Sequence, residues 1–197
     1  MDQTKTAPHF KLIFATGNLH KLHEVKFILK EYPLIIEQRP LKGIEIQSDD
    51  LGEVAIASVL GAVQRSAAPI FVEDTGLFVE ALKGFPGVFA SYTYQTLGTS
   101  GLLKLLDGET NRRAVFKSAV AYCAPHNRPA CFRGEVSGRI SRQARGVHGF
   151  GFDAVFEPDP GGGQTFGEMG IDEKNRWSHR ACAVRRFAAW LLTDGID

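Results

Sequence analysis

Residues 114–124 and 130–140 are both rich in β-forming side chains, and only a short segment beginning Pro125-His126-Asn127 separates them. Two long β-runs joined by so brief a connection pair as an antiparallel hairpin. Elsewhere strands feed helices. The apolar run 10–15 ends in Thr16-Gly17-Asn18, and Leu22, Val25, Ile28 and Leu29 then recur near helical spacing over residues 20–31, which makes a strand-turn-helix unit. A second strand is expected at 34–38 and a helix over 53–67, stopped by Pro69. Ile70-Phe71-Val72 reads as a strand that runs into a turn, Glu73-Asp74-Thr75-Gly76. Residues 82–88 read as a loop and 99–106 as a helix ended by Asp107-Gly108. The glycine- and aromatic-rich stretch 146–156 leads into an open loop over 158–163, and Ser178 is a good N-cap for a last helix reaching Leu192. There is no repeat and no linker, so residues 10–197 are expected to form one α/β unit with a mixed sheet, behind a loose polar leader at 1–9.

The charge balance narrows the partners. Twenty-three basic and 22 acidic residues give a net charge of +1, which argues against polymeric nucleic acid or an anionic membrane. No run approaches the roughly 20 apolar residues of a membrane span, and no cleavable leader is evident, so a cytoplasmic protein is expected. Cys123, Cys131 and Cys182 are odd in number and lack C-x-x-C spacing. They read as buried thiols in a reducing compartment rather than as a disulfide or zinc site.

Three segments carry candidate chemistry, and each has a plainer reading. Thr16-Gly17-Asn18-Leu19-His20-Lys21 opens a helix after a strand, where free backbone N–H groups and the dipole can cradle phosphate. It can equally be a simple Asn-capped helix, and no Walker loop occurs in the chain. Glu73-Asp74 sets two carboxylates side by side; with Glu45 they can hold a hard cation such as Mg²⁺, and one of them can take a proton from water. The plain alternative is a capped strand end with solvated acids. Asp74-Thr75-Gly76 also matches the aspartic-protease signature, but those enzymes need two such loops on an all-β fold. In the C-terminal third, Gly149-Phe150-Gly151-Phe152-Asp153 can bring backbone and an aromatic face close to a flat ligand. Lys174, His179 and Arg180 can meet phosphate or a base edge. Singly, these are a packed Phe, a solvated Lys and a helix-start pair.

Taken in order, the segments A-T-G-N-L-H-K, V-E-D-T-G-L, A-L-K-G-F-P-G, S-G-R-I, G-F-G-F-D, T-F-G-E-M, E-K-N and S-H-R resemble the inosine/xanthosine triphosphate pyrophosphatases, house-cleaning enzymes for non-standard purine nucleotides. The resemblance runs from Phe14 to about Ala188. It implies an elongated mixed sheet with flanking helices, two lobes around a central cleft, and a homodimer. It also implies Mg²⁺-dependent hydrolysis of ITP, dITP or XTP to the monophosphate and pyrophosphate, with Mn²⁺ as a substitute metal. By matching motifs, Thr16, Gly17, Asn18, Lys21, Thr75 and Lys174 contact phosphate or substrate; Glu45 and Asp74 bind the metal; Asp74 is also the proton acceptor. Phe150, Gly151, Phe152, Asp153, His179 and Arg180 form the base pocket, and Glu73 assists the metal or holds Asp74 in place.

The chain departs from the family pattern at three points. Ser58 stands where relatives often carry a Lys, which shifts phosphate binding towards Lys21 or Lys174. Asp153 is followed by Ala154 instead of Pro, and Ala144 replaces the Pro of a Pro-Arg-Gly. Two other classes fit less well. A Maf-like pyrophosphatase usually lacks the G-F-G-F-D and S-H-R segments, and a purely binding module gains little from carboxylates beside a polyanion.

Overall fold

The structure, a computed structural model, describes residues 10–41, 43–66 and 68–194; the expected leader at 1–9 lies outside them. Seven strands form one mixed sheet in the order β2-β1-β3-β5-β6-β7, with β4 added to β3. Strands β1 (Phe10–Ala15), β2 (Leu34–Arg39) and the start of β3 (Ile70–Val79) run parallel. Helix α1 (Leu19–Leu29) follows β1, and α2 (Leu51–Val63) links β2 to β3. From β3 onward the pairing is antiparallel through β5 (Arg113–Cys123), β6 (Ala130–Ile140) and β7 (Phe156–Pro158). The hairpin expected from the sequence is β5–β6, with Tyr122 opposite Ala130 nearest the turn.

The acidic segment is not a turn. Glu73, Asp74, Thr75 and Gly76 continue β3 and pair with Val120, Ala119, Ser118 and Lys117. Turn-forming residue types pointed one way, and ten consecutive rungs to β5 impose the other, because tertiary pairing outweighs local propensity. The opposite edge of β3 is interrupted. Pairing with β1 ends at Phe71 and pairing with β4 (Pro86–Gly87) begins at Leu77. The strand edge between them is open at the carboxyl end of the parallel strands, which is where open α/β sheets bind ligands. Gly76 permits the approach of β4, since a β-carbon there would lie 2.7 Å from the Gly87 carbonyl oxygen.

Other boundaries shift for physical reasons. Helix α2 starts at Leu51 because Asp50 caps the amides of Gly52 and Glu53. It ends at Val63, short of the expected 67. Helix α3 (Ala90–Leu105) extends well before the expected residue 99; Gly98, at φ 63° and ψ −174°, divides it. Its first half, rich in Tyr and Thr, has little helical signal of its own. Strand β4 lies in the expected 82–88 loop, and a tight helical turn over Asp159–Gly161 in the expected 158–163 loop. The short helix α4 (Ile171–Trp177) has no apolar stripe long enough to read, whereas α5 (His179–Thr193) begins at the Ser178 cap as expected.

The two faces of the sheet bury separate cores. One joins Leu12, Phe14, Phe71 and Val120 to α1 and α5 through Val25, Val184 and Phe187. The other joins Ile13, Val72 and Ala119 to α2 through Ala55 and Val59. A third core, around Leu77, Phe116, Phe156 and Phe166, fills the far end. All three cysteines are free, but only Cys123 is buried; Cys131 and Cys182 are half-buried, which corrects the expectation of three buried thiols. Among the described residues, no helix is long and apolar enough to cross a membrane.

Candidate active site

Side chains alternate along a strand, so the neighbours Glu73 and Asp74 face opposite ways. Phe71 packs with α1 and α5, and Val72 packs with α2; Glu73 follows the first and Asp74 the second. Both border a cavity of about 970 Å³ whose wall includes the Thr16–Lys21 turn, Glu45, Thr75, Phe150 to Asp153, His179 and Arg180. The structure thus gathers nearly all of the residues singled out in the sequence. Lys174 is the exception: it is buried behind the wall.

Glu73 is fully compensated. Its Oε1 accepts from Thr75 Oγ1 at 2.5 Å and Ser118 Oγ at 2.6 Å, and Lys21 Nζ and Arg180 Nε stand 3.0 and 3.2 Å from Oε2. Burial alone would raise its pKa, but Arg180 and Lys21 hold it well below the usual carboxylate range. Lys21 also donates to the Glu73 carbonyl at 2.7 Å, closing one exposed group of the interrupted edge.

Asp74 has the reverse environment. No hydrogen bond or ion pair reaches its carboxylate among the described residues. Burial, then the charges of Glu73 and Glu45, raise its pKa against the opposing pull of Lys21. Glu45 is exposed on the segment ahead of α2 and shares the cavity wall with Asp74. Two carboxylates on one cavity wall, with no hydrogen-bond donor to either among the described residues and the charge of Glu45 adding to the raised pKa of Asp74, fit a divalent cation, which would reverse that repulsion. Among the described residues no three His, Cys, Asp or Glu side chains cluster for a metal. A donor set of two carboxylates completed by phosphate oxygens suits Mg²⁺ better than a self-contained cage.

At the Thr16–Lys21 turn, Asn18 Oδ1 caps the amides of His20 and Lys21, and Thr16 Oγ1 accepts from the Asn18 amide. The Asn-cap reading therefore holds, and the turn still faces the cavity. Ser58 is also on the cavity wall, with the Gly43 backbone packed directly on it.

At the opposite wall, α5 starts with two buried residues. Arg180 Nη1 donates to Glu24 Oε2 and Nη2 to Thr75 Oγ1 at 3.0 Å. Each of these nitrogens carries a second hydrogen. Burial would lower the Arg180 pKa, but Glu73 and Glu24 raise it further, so the guanidinium is a fixed cation. His179 stacks on Phe116, and neither ring nitrogen has a hydrogen-bond partner among the described residues. Burial and then Arg180 hold its pKa well below the usual value, so the imidazole is neutral. The Phe150 ring lies 5.1 Å from His20 in a stacked arrangement and 5.3 Å from Arg180 Cζ. Phe152 is buried, with Tyr94 edge-on at 5.5 Å.

Glu24, Phe116 and Ser118 escaped the sequence reading. Glu24 bridges Arg180 and Lys174, and Lys174 in turn holds Asp153 at 2.7 Å. Burial would raise its pKa, but Arg180 and Lys174 pull it to about 2. The available signal was a carboxylate four residues before Ile28 on the apolar stripe of α1, since a buried acid needs partners. Ser118 was a lone hydroxyl in an apolar β-run; Phe116 carried no signal beyond β propensity.

The Ham1 family model matches residues 12–190. Among curated proteins, the dITP/XTP pyrophosphatase of Methanopyrus kandleri is 48% identical over 180 residues, covering 91% of this chain and 95% of its own. That of Thermococcus kodakarensis is 46% identical over 181 residues, covering 92% and 97%. Among solved structures, a HAM1 protein from Coxiella burnetii superposes with a TM-score of 0.81 at 27% identity, covering 93% of this chain and 98% of its own. The Staphylococcus aureus Ham1 protein gives 0.79 at 26%, covering 92% and 98%. Sequence, fold and the arrangement of the cavity agree, and the chain belongs to the Ham1 family.

Proposed function

We propose that this protein hydrolyses non-standard purine nucleoside triphosphates, namely ITP, dITP and XTP, to the monophosphate and pyrophosphate. One observation carries the reading: a single cavity joins an uncompensated pair of acids, Asp74 and Glu45, to the unpartnered His179 and the donor Arg180. The curated relatives named above support it.

Glu45 and Asp74 would hold Mg²⁺, or Mn²⁺ in its place, which when bound neutralises charge on the triphosphate. The Thr16–Lys21 turn receives phosphate oxygens on its backbone N–H groups. Asp74 orients a water and accepts its proton as the oxygen attacks the α-phosphorus; the bond to the bridging oxygen breaks and pyrophosphate leaves. Burial favours that role, because a carboxylate with raised proton affinity is the stronger base. Lys21 steadies the charge on oxygens near β3. Lys174 acts from behind the wall, fixing Asp153 and with it the Phe150 segment, whose backbone N–H donates to Asp153 Oδ2 at 2.8 Å.

Phe150 offers an aromatic face to the base. Arg180 can only donate, so it matches the 6-oxo group of hypoxanthine and xanthine and meets the amino group of adenine unpaired. A site built around such a bond can reject the mismatched analogue by roughly 10⁴ or more. We also propose a cytoplasmic homodimer; Phe85, Tyr92 and Leu97 are exposed apolar side chains that an assembly would cover. The test is a pyrophosphate-release assay with ITP, dITP, XTP, ATP, GTP and dTTP, with and without Mg²⁺. Cleavage of ITP and XTP far above ATP is expected; equal rates for ITP and ATP overturn the reading.

A further inference from the structure

Phe150 borders the cavity from a loop whose tip packs little. Val147 is 93% exposed, Gly149 and Gly151 on either side of Phe150 take φ 72° and 64°, and the ring stacks on His20, itself exposed. Its place is set from the ends of the loop. Lys174 and Asp153 secure one end. The other begins at Arg145, five residues before Phe150 and outside the cavity wall. The Arg145 guanidinium reaches three acceptors: Nε donates to Glu168 Oε2 at 3.1 Å, Nη1 to Glu157 Oε1 at 3.0 Å and Nη2 to the Gly163 carbonyl at 2.6 Å. Its amide donates to the Ala154 carbonyl at 2.8 Å, which joins the two ends of the loop, and its carbonyl accepts from Thr165 Oγ1 at 3.0 Å. Gly146 then packs flat on the next segment, since a β-carbon there would lie 2.0 Å from the Gly167 carbonyl carbon. Gly167 accepts from the His148 amide at 2.8 Å and donates to the Asp153 carbonyl at 2.9 Å. One exposed ion pair contributes little to a fold. A planar fork closed on three acceptors fixes orientation as well as distance, which a point charge does not.

We propose that Arg145 is a positioning residue for Phe150: by locking the base of the loop to residues 157–168, it holds the ring where a purine can stack on it. The role rests on the purine reading of the cavity given above, and it falls to a side chain that touches neither substrate nor metal. Lys174 steadies the loop from inside the protein and Arg145 from outside. Because Arg145 acts through the loop that carries Phe150, its loss weakens what the base contributes to binding and spares what the phosphates contribute.

Steady-state kinetics of the full chain with ITP, together with inhibition by inorganic pyrophosphate, which carries no base, test this. Phe150→Ala first establishes what the ring contributes: a native KM in that variant fails the base-stacking reading itself. Arg145→Ala should raise KM for ITP about tenfold, the order expected of one lost aromatic contact, with kcat nearly unchanged. Its inhibition constant for pyrophosphate should stay native. In the double variant carrying both changes, KM should be no higher than in Phe150→Ala alone, because Arg145 acts through Phe150. Arg145→Lys, which keeps the cation without the fork, should raise KM by a smaller factor, and it decides the matter where the alanine variant does not fold. A native KM in both Arg145 variants, a loss confined to kcat, a parallel loss of pyrophosphate binding, or KM losses that multiply in the double variant overturns the positioning role and leaves the purine reading intact.

Discussion

Glu73 and Asp74 are one peptide bond apart and respond oppositely to the same chemical change. The Glu73 carboxylate accepts from Thr75 and Ser118 and is ion-paired with Lys21 and Arg180. Glu73→Gln leaves buried cations short of a counter-charge, and breaking a buried pair from one side costs about 3–5 kcal/mol. Thermal unfolding should show a large drop in midpoint. Asp74→Asn removes a charge that Glu73 and Glu45 already disfavour. It should leave the midpoint unchanged or slightly raised while kcat for ITP falls by about 10² to 10⁴, the usual worth of a general base. A folded Asp74→Asn protein with native activity contradicts the role given to Asp74. That Glu73 and Asp74 share one cavity with the Thr16–Lys21 turn was legible from the sequence. The separate duties of the two acids were not, since they depend on whether the segment is a turn or a strand.

The elements around the cavity are tied by buried charge. Glu24 on α1, Lys174 on α4, Arg180 on α5 and Asp153 form one connected set. The folded-state pKa of Glu24 is about 2 against an ordinary 4.5. A depressed acid contributes stability that is present above the unfolded value and lost as pH falls through the folded one. The unfolding midpoint should therefore fall as pH drops from 4.5 towards 2. Glu24→Gln should flatten that slope and lower stability at neutral pH; a slope identical to native contradicts the assignment. Gly134 marks another tight junction, where β6 touches the start of α5. A β-carbon there would overlap the His179 carbonyl and the Ala183 nitrogen. Gly134→Ala should destabilise by about 1–3 kcal/mol, as overpacked sites do, and should raise KM for ITP by displacing His179. Strong periodicity made α1, α5 and the β5–β6 hairpin readable in advance. Helix α4 and the first half of α3 were not, because packing, of α4 against α1 and α5 and of α3 against β3 and β4, rather than propensity, makes them helical.

For the molecule as a whole, the cavity is assembled jointly by protein and ligand. With Asp74 and Glu45 as the proposed ligands and no cluster of three metal-binding side chains among the described residues, Mg²⁺ alone at millimolar concentration should leave the unfolding midpoint nearly unchanged. Mg²⁺ with a non-hydrolysable ITP analogue at 100 times its Kd should stabilise the fold by about 2.7 kcal/mol. Chelation should abolish turnover without unfolding the chain. A midpoint that rises with Mg²⁺ alone as much as with both would indicate a cage that the described residues do not form. The mixed sheet was foreseeable from a strand-turn-helix unit beside a hairpin. The interrupted edge of β3 was not, since it arises where two unrelated strands happen to stop. That edge is backed by unbroken pairing from Ile70–Cys123 to Val79–Ala114, and the backing turns catalytic identity into a question of parity. Slide β3 by one residue, and Asp74 would take the place beside Arg180 while Glu73 took the unpaired place on the α2 side, with no atom of either changed. Which carboxylate the protein neutralises and which it leaves for the substrate is set by counting along the strand, so a single-residue insertion within β3 should be more damaging than most substitutions there.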